Sequence, residues 1–109
     1  MIDRGNIFKS VSTEARRSEV FEEIIRNPEL LLERIVSHGQ ATPPGEWYDQ
    51  ERDEWVVLLS GRATIAFESG EAAELSPGDY LLIPAHSRHR VETTSADPPC
   101  VWLALHGNF

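Results

Sequence analysis

Beyond Leu30 the chain is a succession of short apolar runs separated by turn residues, the pattern of an all-β sandwich or barrel. Strands are expected near Leu30–Ser37, Asp53–Leu59, Arg62–Phe67, Ala72–Leu75, Tyr80–Pro84, Arg88–Thr94 and Val101–His106. Ala63, Ile65 and Phe67 alternate with Arg62, Thr64 and Ala66, the period of two that gives a strand a single buried face. Ser60-Gly61 reads as a tight hairpin and Glu68-Ser69-Gly70 as a second. In Ser76-Pro77-Gly78-Asp79 the proline presets φ and the glycine accepts a positive φ, which predicts a turn. Val20, Phe21, Ile24 and Ile25 would suit one face of a short helix, but the acidic neighbours of Phe21 and the turn at Asn27-Pro28 favour a strand paired with Leu30–Ser37. Thr13–Ser18 is polar and expected as a loop, and Gln40–Gly45, with two prolines and a glycine, as an irregular one.

The run Trp55-Val56-Val57-Leu58-Leu59 is apolar on both faces, whereas a strand with one wet face should alternate. Its second face therefore needs a cover, either the N-terminal segment or a partner subunit. A chain of 109 residues, read as one domain over 1–109, has little mass to spare, so a homodimer is expected. A formal net charge of −8 disfavours nucleic acid and anionic membranes as partners, since both would repel such a surface. No apolar run approaches the roughly 20 residues needed to span a bilayer, and Met1–Ser10 lacks the apolar stretch of a signal peptide. The single cysteine, Cys100, cannot form an internal disulfide and is read as a buried inert thiol in a reducing, cytoplasmic protein.

Tyr48, Gln50, Glu54, Val56 and Leu58 share parity, so a continuous strand would turn them to one side. A carboxylate on a face with Val56 and Leu58 is costly to desolvate alone and needs a metal, a cation or strong hydrogen bonds. Two stretches then carry a resemblance. Gly45-Glu46-Trp47-Tyr48-Asp49-Gln50-Glu51-Arg52-Asp53-Glu54 continues to Gly61, and Gly78-Asp79-Tyr80-Leu81-Leu82-Ile83-Pro84-Ala85-His86-Ser87-Arg88-His89 follows. Together, over about 45–61 and 78–93, they resemble the two motifs of the cupin superfamily, with Glu54, Gly61, Gly78, Pro84 and His89 at matching positions. The resemblance implies a double-stranded β-helix, a jelly-roll-like barrel, here in a small single-domain protein with an N-terminal extension. It also implies a metal site of three histidines and a glutamate inside the barrel, with His89 closing against Glu54.

The departures from that pattern are specific. Where the family has a histidine pair, this chain has Tyr48 and Gln50, or Trp47 and Asp49 in the alternative spacing. His86 stands at a glycine position of the second motif and adds an imidazole near the barrel mouth. The expected pocket is thus Tyr48, Gln50, Glu54, His86 and His89, and the expected metal ligands are Gln50, Glu54 and His89. Imidazole plus carboxylate suits a divalent iron, manganese, nickel or zinc ion. Gln50 offers only a neutral oxygen, and Tyr48 must lose a proton to bind as a phenolate. Asp49 turns outward unless a bulge shifts the register. A metal-free hydrogen-bonded network is the competing reading.

Other residues rank lower. His38 is expected to be exposed, and Arg88 and Arg90 to face away from His89 as surface ion-pair partners. His106 has the parity of Trp102 and Ala104, which lets it reach the pocket, though it is not placed among the site residues. Trp47, Trp55 and Trp102 are read as core or interface. Three functions stay open: a pocket binding a small molecule, with or without a metal; a metal-dependent oxygenase, isomerase or lyase; and a structural or interaction barrel. The residues name no substrate and leave catalysis undecided.

Overall fold

The computed structural model describes residues 2–11 and 18–109; the expected loop Thr13–Ser18 lies outside them except for Ser18. Eight strands follow in order: β1 (Val20–Arg26), β2 (Leu31–Ser37), β3 (Asp53–Ser60), β4 (Ala63–Phe67), β5 (Ala72–Leu75), β6 (Tyr80–Ile83), β7 (His89–Thr94) and β8 (Cys100–Gly107). They form two antiparallel sheets, one ordered β1-β2-β8-β3-β6 and the other β5-β4-β7. This is the expected all-β, jelly-roll-like barrel, and the N-terminal apolar segment is a strand paired with β2.

The expected Ser60-Gly61 hairpin is corrected by the pairing. Although β3 and β4 are consecutive, they lie in different sheets, so this turn carries the chain round a barrel corner. Gly61 has φ 86°, and a Cβ there would stand 2.8 Å from Cys100 Sγ. Only glycine fits such a corner without displacing backbone. Glu68-Ser69-Gly70 does close a hairpin, between β4 and β5.

The register makes the inner face explicit. Glu54, Val56 and Leu58 of β3 lie opposite His106, Ala104 and Trp102 of β8, and Ile35 of β2 lies opposite Trp102. Leu58, Ala104, Trp102 and Ile83 of this sheet meet Ala63, Ile65 and Leu75 of the other in one core. Leu58 and Cys100 are wholly buried. Burial of a leucine of this kind contributes about 1.5–3 kcal/mol. Toward the Glu54 end the apolar filling gives way to acids and imidazoles.

The N-terminal segment packs against the outer face of β2. Arg34, buried on the outer face of β2, donates from Nη1 to Ile7 O and Lys9 O, and from Nη2 to Glu22 at 2.6 Å. On the outer face of β3 and β6, Tyr80 and Leu82, 64% and 59% exposed, flank Trp55. His38, expected to be exposed, is buried directly after the end of β2.

Candidate functional site: an acidic, aromatic-walled cavity

The site begins with the loop ahead of β3. Tyr48 exchanges backbone hydrogen bonds with His89, its N donating to His89 O at 2.7 Å and its O accepting from His89 N at 3.1 Å. The loop therefore extends the smaller sheet by one bridge beyond β7 and sets the Tyr48 ring on the His89 imidazole, with centroids 5.6 Å apart. Phe67 flanks the same imidazole at 6.0 Å. Asp53, at the start of β3, ties down the turn before β7: its Oδ1 accepts from Ala85 N and its Oδ2 from Phe109 N.

Between the sheets lies a cavity of about 80 Å³. One buried water needs roughly 10–15 Å³ in such a measure, so this space admits several waters or a small organic molecule. Ile35, Val56, Ile65, Ile83 and Val91 supply apolar walls, and Phe21, Tyr48 and Trp102 supply rings. The polar lining comprises Gln50, Glu54 and His89, together with Glu19, Glu33 and His106.

Glu54 is 7% exposed and enters on the central strand β3. Its Oε1 stands 3.7 Å from His89 Nε2, beyond hydrogen-bond reach. Burial pushes its carboxyl above the ordinary carboxylate value, partly offset by the His106 and His89 imidazoles. His89 Nδ1 contacts Ser87 O at 2.8 Å; a carbonyl only accepts, so Nδ1 carries a proton there and Nε2 is the ring nitrogen turned to Glu54. His106 lies beside Glu54 across the β3–β8 ladder, and its Nε2 donates to Glu33 Oε1 at 3.0 Å. That hydrogen bond raises the His106 pKa, because the carboxylate favours the imidazolium. Glu19 is held by Ser37 Oγ, which also accepts from Trp102 Nε1 at 3.1 Å, a buried relay from the cavity wall to its rim.

Of the expected pocket residues, Tyr48, Gln50, Glu54 and His89 line the cavity. His86 does not. It is held at the surface with φ 61°, its Nδ1 2.8 Å from Asp49 Oδ1, and its side chain is 65% exposed. Asp49 faces outward, as parity required. Arg88 makes a surface ion pair with Glu68 at 2.9 Å, whereas Arg90 donates to Thr42 O on the site loop. The sequence reading left out Glu19 and Glu33 and ranked His106 low.

These donors fall short of a transition-metal set. Among the described residues no three His, Cys, Asp or Glu side chains are grouped closely enough to hold a metal ion. Glu54 and His89 offer two strong donors, Gln50 adds a neutral oxygen, and His106 Nε2 is engaged by Glu33. Burial and the Glu19 and Glu54 charges raise the Tyr48 pKa, so the phenol holds its proton more firmly than a free tyrosine in the metal-free protein.

Residues 34–106 match the family profile described as the cupin domain, which spans most of the barrel. The chain belongs to the cupin family. Among solved structures, this cupin is similar to a protein of Ralstonia eutropha JMP134 named as a "putative mannose-6-phosphate isomerase". The two share 44% identity over 99% of this chain and 100% of that one, with a TM-score of 0.93. A cupin superfamily protein of Desulfitobacterium hafniense DCB-2 has TM-score 0.78 at 16% identity, covering 100% of this chain and 94% of its own. An RmlC-like cupin of Desulfovibrio desulfuricans has TM-score 0.74 at 15% identity, with 100% of both chains covered. The last two share the fold alone. No functionally curated protein matches the cupin in sequence. Among the described residues there is no helix long and apolar enough to cross a membrane.

Proposed function

We propose that this cupin binds a small organic molecule in the cavity between its sheets, without a resident metal. The observation that carries the reading is Glu54. It is a carboxylate nine-tenths buried at the wall of an apolar cavity, set 3.7 Å from an imidazole and outside hydrogen-bond reach of it. Such a group is costly unless something completes its polar environment, and a bound ligand supplies that. The cavity itself argues against a barrel filled only by its own side chains. Titration with a small-molecule library, followed by NMR, tests the proposal. Binding is expected to move the Trp102 indole N–H signal and to raise the melting temperature, since a ligand held only by the folded state stabilises it. Ligands that perturb only Trp47 or Trp55 overturn it.

A second reading, a small-molecule isomerase, draws on the name of the Ralstonia relative and on two imidazole–carboxylate pairs in one cavity, Glu54 with His89 and Glu33 with His106. Such pairs suit proton transfer at a bound substrate. A divalent metal here would rest on Glu54 and His89 with Gln50 as a neutral third donor, fewer strong ligands than the three protein ligands of catalytic zinc sites. Metal analysis after chelator-free purification tests that metal: less than about a tenth of an equivalent removes a metal-dependent enzyme, while turnover of a bound sugar phosphate by metal-stripped protein separates an isomerase from a binding protein. We further propose a homodimer formed through Trp55, Tyr80 and Leu82, and a reducing cytoplasmic setting consistent with the buried free thiol of Cys100.

A further inference from the structure

Three carboxylates line the cavity, Glu19, Glu33 and Glu54, against two imidazoles, His89 and His106. Among the described residues no lysine or arginine lines it. Arg88 is spent on Glu68 at the surface and Arg34 on the outer face of β2. Glu33 has His106 as a partner and Glu19 has Ser37, which leaves Glu54 as the buried carboxylate whose nearby imidazole does not reach it. The remaining wall is apolar and aromatic, with the Tyr48, Phe21 and Trp102 rings on it. A cation placed beside Glu54 would gain a charge-assisted hydrogen bond and ring faces at once. An anion such as a sugar phosphate would meet three carboxylates and find no guanidinium or ammonium among the described lining residues.

From this arrangement we propose that the cavity's ligand is a small organic cation, an amine with a compact apolar body, whose ammonium group pairs with Glu54. The proposal rests on the small-molecule reading above and narrows it to one charge class. It sets the chain apart from the activity named for its Ralstonia relative, because the phosphate of that substrate carries the wrong sign for this lining.

The test uses four probes of known charge on the full chain: n-butylammonium, its neutral counterpart 1-butanol, butyrate, and mannose 6-phosphate. Affinities come from calorimetry, with the Trp102 indole signal reporting entry into the cavity. Butylammonium is expected to bind about tenfold tighter than butanol, the scale of one hydrogen bond to a charged group. In Glu54→Gln that preference should collapse to near parity, with Glu33→Gln as a second variant that removes a different cavity charge and keeps most of it. Equal binding of butanol and butylammonium overturns the charge assignment and leaves the cavity reading standing. Tighter binding of butyrate or mannose 6-phosphate overturns it too. An amine preference that survives Glu54→Gln unchanged overturns the pairing with Glu54. If none of the probes moves the Trp102 signal, the cavity reading falls and the assignment with it.

Discussion

Glu54 Oε1 and His89 Nε2 face each other at 3.7 Å from strands of opposite sheets, β3 and β7. The pair spans the barrel interior at a distance that leaves the carboxylate desolvated and incompletely compensated. A ligand, a proton or a bridging water can complete it, and each answer leaves a different trace in stability.

Replacing Glu54 by glutamine should stabilise the free protein at neutral pH. The folded-state pKa is raised, so the favourable contribution of the protonated acid is fully present below the ordinary value of 4.5 and is lost as pH rises through the folded value. The ionised carboxylate is therefore a burden at pH 7.5, and Glu54→Gln removes it. Thermal melts should show the variant above wild type at pH 7.5, with the gap closing toward pH 4.5. A gain of about 1 kcal/mol would read as a rise of about 4–8 °C in a domain this size. A lower melting temperature for the variant at pH 7.5 would mean that Glu54 is already well partnered.

His106 should titrate above its ordinary value of 6.5, chiefly because of its hydrogen bond to Glu33. Its stabilising contribution is complete below 6.5 and disappears as pH rises through the elevated folded value. Imidazole NMR should show the raised pKa, and Glu33→Gln should bring it back toward the ordinary value. Urea unfolding should show the wild type losing stability from near pH 6.5 upward, by at most about 1.5–3 kcal/mol, the range for a hydrogen bond to a charged group. In Glu33→Gln that slope should flatten.

Two glycines with nearly the same φ should respond differently to alanine. Gly45 (φ 84°) has open space where a Cβ would stand, so Gly45→Ala pays only the left-handed backbone strain, about 1–2 kcal/mol. Gly61 (φ 86°) would place its Cβ 2.8 Å from Cys100 Sγ and 2.9 Å from Cys100 Cα. Gly61→Ala adds overpacking of about 1–3 kcal/mol to the same strain. Denaturant unfolding of the two variants should separate them clearly; equal losses would mean that the corner yields.

Leu82→Glu should abolish self-association without unfolding the chain. Leu82 is exposed beside Trp55 on the outer face of β3 and β6, and a charge there is tolerated by water but resisted in an apolar interface. Light scattering should give twice the 12.3 kDa chain mass for wild type and a single chain mass for the variant. A wild type that is monomeric at micromolar concentration removes the dimer.

Much of the barrel was legible in the chain because its signals are local. Alternation in Ala63–Phe67 and the Pro77-Gly78 turn act within a few residues, and Glu54, Gly61, Gly78, Pro84 and His89 keep the cupin spacing. Parity alone put Glu54, Tyr48 and Gln50 on one face and Asp49 on the other, and the cavity lining agrees. The charge balance of the cavity was a different matter. In β2, Glu33 and Arg34 are neighbours on opposite faces, each among apolar residues, so parity could not say which one points inward. Only the pairing of β2 with β8 turned Glu33 to the cavity and His106 to Glu33, while Arg34 went out to the N-terminal segment. His86 shows the converse: its motif position suggested the pocket, yet a positive φ and Asp49 hold it at the surface. Periodicity determines which residues share a face, but long-range strand pairing decides which face is enclosed, and with it the sign of the charge a ligand would meet.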